Sequence, residues 1–149
     1  MKYSIIFVGS SLKLSTQSIE AALSQNLSKK DYEVIAIDQS SDGILEKPVS
    51  ILRQQYAGHN IRYFPCQGSG IAKARNLGIR KARGEILFFM DENYLVPPNW
   101  METMIDGYKK NPEVAGVGGW HGTTSPKTSF LQRCEDAMDN KFGGGILNT

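Results

Sequence analysis

Short apolar runs along the chain alternate with longer segments in which apolar residues recur at helical spacing. The runs are continuously apolar, which is typical of strands that are buried on both faces of a sheet. We predict five such strands, at 3–9, 32–37, 61–65, 85–90 and 114–120. Several glycines in the last strand indicate a close approach of backbone or ligand.

Four helices are predicted between these strands. They cover 15–27, 47–56, 71–83 and a segment that starts at Pro97 and Pro98 and ends before Pro112. The third helix carries a narrow face made of Ile71, Ala74, Leu77, Gly78 and Ala82, and we expect that face to pack close to the sheet. Strands and helices that alternate in this way predict an α/β fold, with a mainly parallel, twisted sheet and helices on both faces.

The size and charge of the chain limit the classes of function. Its 149 residues suit one core, and a net charge of +2 without a basic cluster argues against nucleic acid as a partner. Cys66 and Cys134 lack metal-type spacing and fit reduced thiols. No signal peptide and no apolar run of about 20 residues is visible, so we expect a cytoplasmic location, with attachment to a membrane surface left open.

Polar residues directly follow the apolar strand predicted at 85–90. Asp91, Glu92 and Asn93 offer carboxylate and amide oxygens, which are the ligands that Mg²⁺ or Mn²⁺ prefers. In parallel α/β sheets the ligand crevice lies beyond the carboxyl ends of the strands. These residues are therefore the first candidates for a site, while a turn-capping role for Asp91 remains the alternative.

Four stretches in order resemble the family 2 glycosyltransferases of the GT-A fold, which are inverting enzymes that use nucleotide-diphospho-sugars. The stretches are VIAIDQSSDG at 34–43, GSGIAKARNLGI at 68–79, ARGEILFFMDEN at 82–93 and PPNW at 97–100. The resemblance implies a donor-binding domain at 1–120 and the start of an acceptor-side region at 121–149. It also implies a UDP-sugar as donor and a glycan or lipid-linked molecule as acceptor.

The resemblance assigns roles around the second strand and the third helix. Asp38 matches the acidic residue that hydrogen-bonds the nucleoside, and Gln39 stands where a second Asp is common. Asp42 either contacts the nucleotide or shapes the turn at Gly43. Arg75 and Asn76 match a segment that lines the donor pocket. Either Arg75 or Lys73 supplies positive charge to the diphosphate, the alternative being a solvated basic face.

Asp91 and Asn93 match the first and last positions of the D-x-D motif, which binds the divalent metal and through it the donor phosphates. The neutral amide of Asn93 removes one charge from that motif, so we expect Glu92 or Asn93 to act as a helper to Asp91. The aromatic residue that commonly follows the first strand is absent, since Gly9 and Ser10 occupy that place.

The catalytic general base is not identified in this sequence. The family places it in the acceptor-binding half, so we expect it beyond Thr149. Glu135 and Asp136 lie on a predicted helix at 129–141 and are expected to form a solvated face, and Trp120 and His121 are expected to be structural.

A chain without the acceptor-binding half would leave apolar surface uncovered, and this favours a homo-oligomer. A non-catalytic nucleotide-sugar-binding module is the alternative function, and a nucleotidyltransferase ranks last because the loop after the first strand is too poor in glycine and basic residues.

Overall fold

A computed structural model describes residues 1–68 and 70–119 of the chain. These residues fall into two compact units, one covering 1–100 and one that begins at Met101. The elements in chain order are β1 (Tyr3–Gly9), α1 (Leu12–Leu23), β2 (Tyr32–Asp38), α2 (Glu46–Gln55), β3 (Asn60–Pro65), α3 (Gly70–Lys81), β4 (Ile86–Asp91) and α4 (Trp100–Lys110).

The four strands form one parallel sheet in the order β3-β2-β1-β4. The chain first moves outward from β1 to β3 and then returns to add β4 on the other side of β1. Because crossovers between parallel strands are right-handed, this reversal puts α3 on the face opposite α1 and α2. Both faces of the sheet are covered, and β2 is buried along its whole length.

One face of the sheet packs very closely against α3. Ile6, Ile35 and Ala74 form part of a fully buried cluster there. A Cβ atom added at Gly78 would lie 2.3 Å from Cγ2 of Ile6, so only glycine fits at this point of the helix. The narrow face predicted for this helix is confirmed at Ala74 and Gly78, whereas Ile71, predicted on the same face, is 46% exposed.

The edge of the sheet where the strands begin holds a buried carboxylate. Glu33 is fully buried and accepts hydrogen bonds from the Ser4 hydroxyl at 2.8 Å and from the Arg83 backbone N–H at 2.8 Å. Its other oxygen pairs with the Arg62 guanidinium at 3.0 Å. This buried charge therefore joins β1, β3 and the segment after α3 to β2, and we assign it a structural role.

The predicted strands at 3–9, 32–37, 61–65 and 85–90 are confirmed to within one residue. The first helix differs more, since α1 runs three residues further at its start and ends four residues earlier than expected. Its early end has a local cause, because the Asn26 N–H donates to the Pro98 carbonyl and the Gln25 amide to the Pro97 carbonyl. These bonds connect the residues after α1 to the segment before α4.

The fifth strand, predicted at 114–120, was wrong for its described part. Residues 114–119 contain no strand. Gly116, Gly118 and Gly119 remove the side chains that a strand would pack, and glycine loses the most backbone entropy on ordering. Within the part of the chain that the structure describes, no helix is long and apolar enough to cross a lipid bilayer.

The close packing at Gly78 gives a test of the fold. Overpacking a core costs about 1–3 kcal/mol, whereas exchanging Gly for Ala inside a helix gains about 1 kcal/mol. We expect Gly78→Ala to lower the free energy of unfolding by about 2 kcal/mol in urea titrations, because so close an approach to the fully buried Ile6 calls for the upper end of the overpacking cost, less the helix gain. Arg80→Ala, at an exposed position of the same helix, serves as the control. A Gly78→Ala variant as stable as the wild type would contradict the close approach.

Candidate functional site

The predicted site residues meet at the carboxyl edge of the sheet. Gly9 lies opposite Asp38 across β1 and β2, and Val8 lies opposite Asp91 across β1 and β4. The strand order reverses at β1, so the loops that follow β1 and β4 flank the switch point of the topology. This is the position at which open α/β sheets bind their ligands.

Asp91, the last residue of β4, pairs with Arg75 on α3. The Nη2 atom of Arg75 donates to both carboxylate oxygens of Asp91, at 3.0 Å to Oδ1 and 2.8 Å to Oδ2. The Asp91 side chain is 28% exposed and the Arg75 side chain 39% exposed, so both remain open to a ligand. The Nε atom of Arg75 is buried and has no partner among the described residues.

A shallow groove continues from this ion pair. Its volume is about 470 Å³, and it is lined by Ala72, Arg75, Asn76, Ile79 and Phe89. Arg75 and Asn76 both line this groove, and the donor pocket predicted for them stays a prediction. Lys73 lies exposed on the same helix and forms no part of the lining.

Glu92 points to the other side of β4. Its Oε2 atom accepts hydrogen bonds from the backbone N–H groups of Ser10 and Ser11, both at 2.6 Å, and from the Ser15 hydroxyl at 3.1 Å. Its Oε1 atom accepts from the Ser10 hydroxyl at 3.2 Å. Burial by itself raises the pKa of the Glu92 carboxyl, but these hydrogen bonds together outweigh it and lower that pKa below its ordinary value.

Asp38 is fully buried and is held by its own surroundings. One oxygen accepts from the backbone N–H and hydroxyl of Ser40, at 2.9 and 2.6 Å. The other accepts from the Leu45 N–H at 2.9 Å and the Tyr63 hydroxyl at 3.1 Å. Four donors from the chain leave this carboxylate engaged in shaping the β2–α2 loop, so the nucleoside contact expected of it stays a prediction.

Tyr63 was not singled out from the sequence, although it lies on β3 beside Asp38. Burial, followed by the hydrogen bond to Asp38, raises the pKa of Tyr63 to about 12. Its ring also lines a second cavity of about 490 Å³, together with Gly43, Glu46, Lys47, Ser50 and Arg53. The sequence gives no signal for the hydrogen bond between Tyr63 and Asp38, because an aromatic residue is common in an apolar strand.

The other described residues that were predicted for the site are less buried than Asp38. The Gln39 backbone N–H donates to the Gly9 carbonyl at 2.9 Å, which joins the loops after β1 and β2. Asp42 is exposed and precedes Gly43, whose φ of 69° favours glycine. Asn93 is exposed beside Glu92. Trp120, His121, Glu135 and Asp136 lie outside the described residues.

The oxygen atoms at the end of β4 fit a divalent cation of the Mg²⁺ or Mn²⁺ type only in part. Asp91 offers a carboxylate and Asn93 an amide oxygen, and both are hard ligands. The described residues contain no cluster of three or more His, Cys, Asp or Glu that could hold a metal ion. A cation here would therefore take its remaining ligands from water or from phosphate oxygens, as Mg²⁺ commonly does.

Solved structures with a similar fold include two proteins in complex with a nucleotide sugar. TarS of S. aureus, in complex with UDP-GlcNAc, aligns with a TM-score of 0.62 at 21% identity, over 87% of this chain and 38% of that one. The mannosyltransferase PcManGT of Pyrobaculum calidifontis, in complex with GDP-Man and Mn²⁺, aligns with a TM-score of 0.68 at 20% identity, over 76% of this chain and 33% of that one. Both confirm the predicted GT-A type of fold.

Similar sequences and a family model identify the family of the chain. An uncharacterized glycosyltransferase of Rickettsia bellii is 30% identical over 93% of this chain, which spans 22% of that protein. A chondroitin synthase of Escherichia coli is 29% identical over 70% of this chain, which spans 15% of that protein. The sequence model described as glycosyl transferase family 2 matches residues 12–143. The chain thus belongs to glycosyl transferase family 2.

Proposed function

We propose that this chain binds the nucleotide-sugar donor of a glycosyltransferase that transfers a sugar, with inversion, to a glycan or lipid-linked acceptor. The observation that carries the proposal is the pairing of Asp91 with Arg75 at the carboxyl end of β4, beside the switch point of the sheet. A carboxylate and a guanidinium at one place suit a ligand made of a cation and a diphosphate.

The two side chains have separate tasks in this proposal. Asp91 holds a divalent cation, which when bound supplies positive charge to the leaving diphosphate. Arg75 leaves Asp91 and donates to the diphosphate oxygens, for which a planar guanidinium is well suited. The unpartnered Nε atom of Arg75 supports this task, because a buried donor without an acceptor is costly and a phosphate oxygen would satisfy it.

In this proposal, the loop after β2 binds the nucleoside part of the donor. Asp38 keeps that loop in place through Ser40 and Leu45, and the polar side chains of Gln39 and Asp42 follow at the same edge of the sheet. UDP as the nucleotide follows from the resemblance and from TarS, which was solved with UDP-GlcNAc, whereas PcManGT was solved with GDP-Man. We therefore propose UDP first and use GDP as the comparison.

A non-catalytic nucleotide-sugar-binding module is the second candidate. The neutral amide of Asn93 at the end of the D-x-D stretch favours it, since a site with one carboxylate binds a cation more weakly than a site with two. Sugar transfer to an acceptor by a protein that contains this chain would reject this candidate. A cytoplasmic location, attachment to a membrane surface and a homo-oligomer also remain proposals.

The donor site can be tested by calorimetry with UDP in the presence of Mn²⁺. We expect Asp91→Ala to weaken UDP binding at least about tenfold, because a contact to a charged group contributes roughly 1.5–3 kcal/mol and 1.4 kcal/mol is a factor of ten. Glu85→Ala, an exposed carboxylate at the start of β4, is the matched control and should bind as the wild type does. Equal losses in both variants, or no binding of UDP by the folded wild type, would contradict the proposal.

The variant Arg75→Ala gives a second test, because we expect it to strengthen the binding of Mn²⁺ alone and to weaken the binding of UDP. Because the Arg75 guanidinium competes with a cation for the Asp91 oxygens, we expect Arg75→Ala to bind Mn²⁺ alone more tightly than the wild type, measured by electron paramagnetic resonance of free Mn²⁺. The same variant should bind UDP with Mn²⁺ about tenfold more weakly, since one charge-assisted contact is lost.

Lys73→Ala, a cation exposed on the same helix, is the control for Arg75 and should change neither affinity. If Lys73→Ala weakens UDP binding and Arg75→Ala does not, Lys73 is the residue that meets the diphosphate. Loss of Mn²⁺ binding in Arg75→Ala would show that the ion pair supports the cation site and does not compete with it.

A further inference from the structure

The carboxylate of Glu92 lies at the N-terminus of α1 and binds the residues that lead into it. Ser11 is the N-cap residue of α1, but its side chain makes no capping hydrogen bond, and the first turn of α1 has no acidic residue. Glu92 supplies a negative charge there and accepts the N–H of the N-cap residue Ser11 itself, although it is 81 positions away in the chain. A carboxylate at a helix N-terminus accepts the free N–H groups and interacts favourably with the helix dipole.

These hydrogen bonds span the switch point of the sheet. Ser10 and Ser11 follow β1, and Glu92 follows β4, so one side chain joins the two loops that flank the crevice. A second tie lies close by, because the Ser18 hydroxyl donates to the Glu92 backbone carbonyl at 2.8 Å. The β1–α1 loop is also confined at Gly9, where an added Cβ atom would lie 2.4 Å from the Ser15 hydroxyl oxygen.

Asp91 and Glu92 together fix the end of β4 between helices on opposite faces of the sheet. Successive side chains of a strand point to opposite faces, and here Asp91 contacts α3 through Arg75 while Glu92 contacts the start of α1. The direction of the Asp91 carboxylate therefore depends on how the backbone of Glu92 is held. The same contact sets where the Ser10 and Ser11 hydroxyls lie.

We propose that Glu92 is a positioning residue of the donor site, which holds the β1–α1 loop and Asp91 in a fixed relation by capping α1. The inference rests on the proposed function, since it concerns how the donor is bound. It gives Glu92 a different role from the direct contact with metal or donor that the sequence suggests. Its four hydrogen bonds leave the carboxylate engaged with the loop.

The test compares the wild type, Glu92→Gln and the control Glu85→Gln on the full 149-residue chain. Glutamine keeps the size of the side chain and one oxygen acceptor, so α1 can still fold, but the charge and the second oxygen are lost. Two quantities are measured, namely the hydrogen exchange of the Ser10 and Ser11 amides without ligand, by NMR, and the Kd for UDP with Mn²⁺, by calorimetry. Circular dichroism confirms that each variant is folded.

We expect Glu92→Gln to exchange both amides faster and to raise the Kd about tenfold or more, because outer partners of a ligand-binding residue typically contribute a factor of about 10–100. Glu85→Gln should change neither quantity. Weaker binding with unchanged exchange would overturn the proposal, since Glu92 would then act on the metal or donor directly. Faster exchange with unchanged binding would overturn it as well, because Glu92 would then only cap the helix.

Unchanged exchange together with unchanged binding would show that the contact itself has no effect and would also overturn the proposal. Failure of the proposed function gives a different result, because the wild type would then bind no UDP in the presence of Mn²⁺. Glu92 would in that case have no role in donor binding, while the exchange of the Ser10 and Ser11 amides would still report whether its carboxylate caps α1.

Discussion

Two neighbouring carboxylates hold the end of β4, and the geometry of the candidate site depends on them. Asp91 pairs with a guanidinium at a partly exposed position, and such pairs contribute only about 0–1 kcal/mol to stability. Glu92 instead accepts two short hydrogen bonds from backbone N–H groups, and charge-assisted bonds of this kind are roughly twice as strong as neutral ones. The contact of Glu92 therefore supports the local structure, whereas the ion pair of Asp91 is weak enough to open for a ligand.

Much of the framework could be predicted from the sequence, because the signals for it are local. Continuously apolar runs predicted β1 to β4, and the recurrence of Ala74 and Gly78 predicted the close packing of α3. The placement of Asp91 at the carboxyl edge followed from the same reasoning. At 114–119 the local signal failed, since apolar residues between glycines resemble a strand in composition but lack the side chains to pack as one.

The contacts of the site could not be predicted in the same way, because they join residues far apart in the chain. Glu92 binds the N-cap residue of α1, and no pattern near Ser11 reveals that contact. Asp38 accepts a hydrogen bond from Tyr63, 25 positions later. The pairing of Arg75 with Asp91 also needed the structure, although each residue had been singled out separately.

Family membership and site geometry concern the same edge of the sheet. The chain spans 22% and 15% of the two named relatives. What the described residues offer is an edge of a parallel sheet where a carboxylate, a guanidinium and a capped helix meet. That arrangement suits the donor side of a sugar transfer.

The most direct measurement is the anomalous scattering of Mn²⁺ in crystals of the chain grown with UDP and Mn²⁺. Our account predicts an anomalous peak about 2 Å from an Asp91 carboxylate oxygen, with the Arg75 guanidinium moved onto the diphosphate and Glu92 still bonded to Ser10 and Ser11. A manganese peak away from the end of β4, or a diphosphate bound with the Arg75–Asp91 pair unchanged, would contradict it.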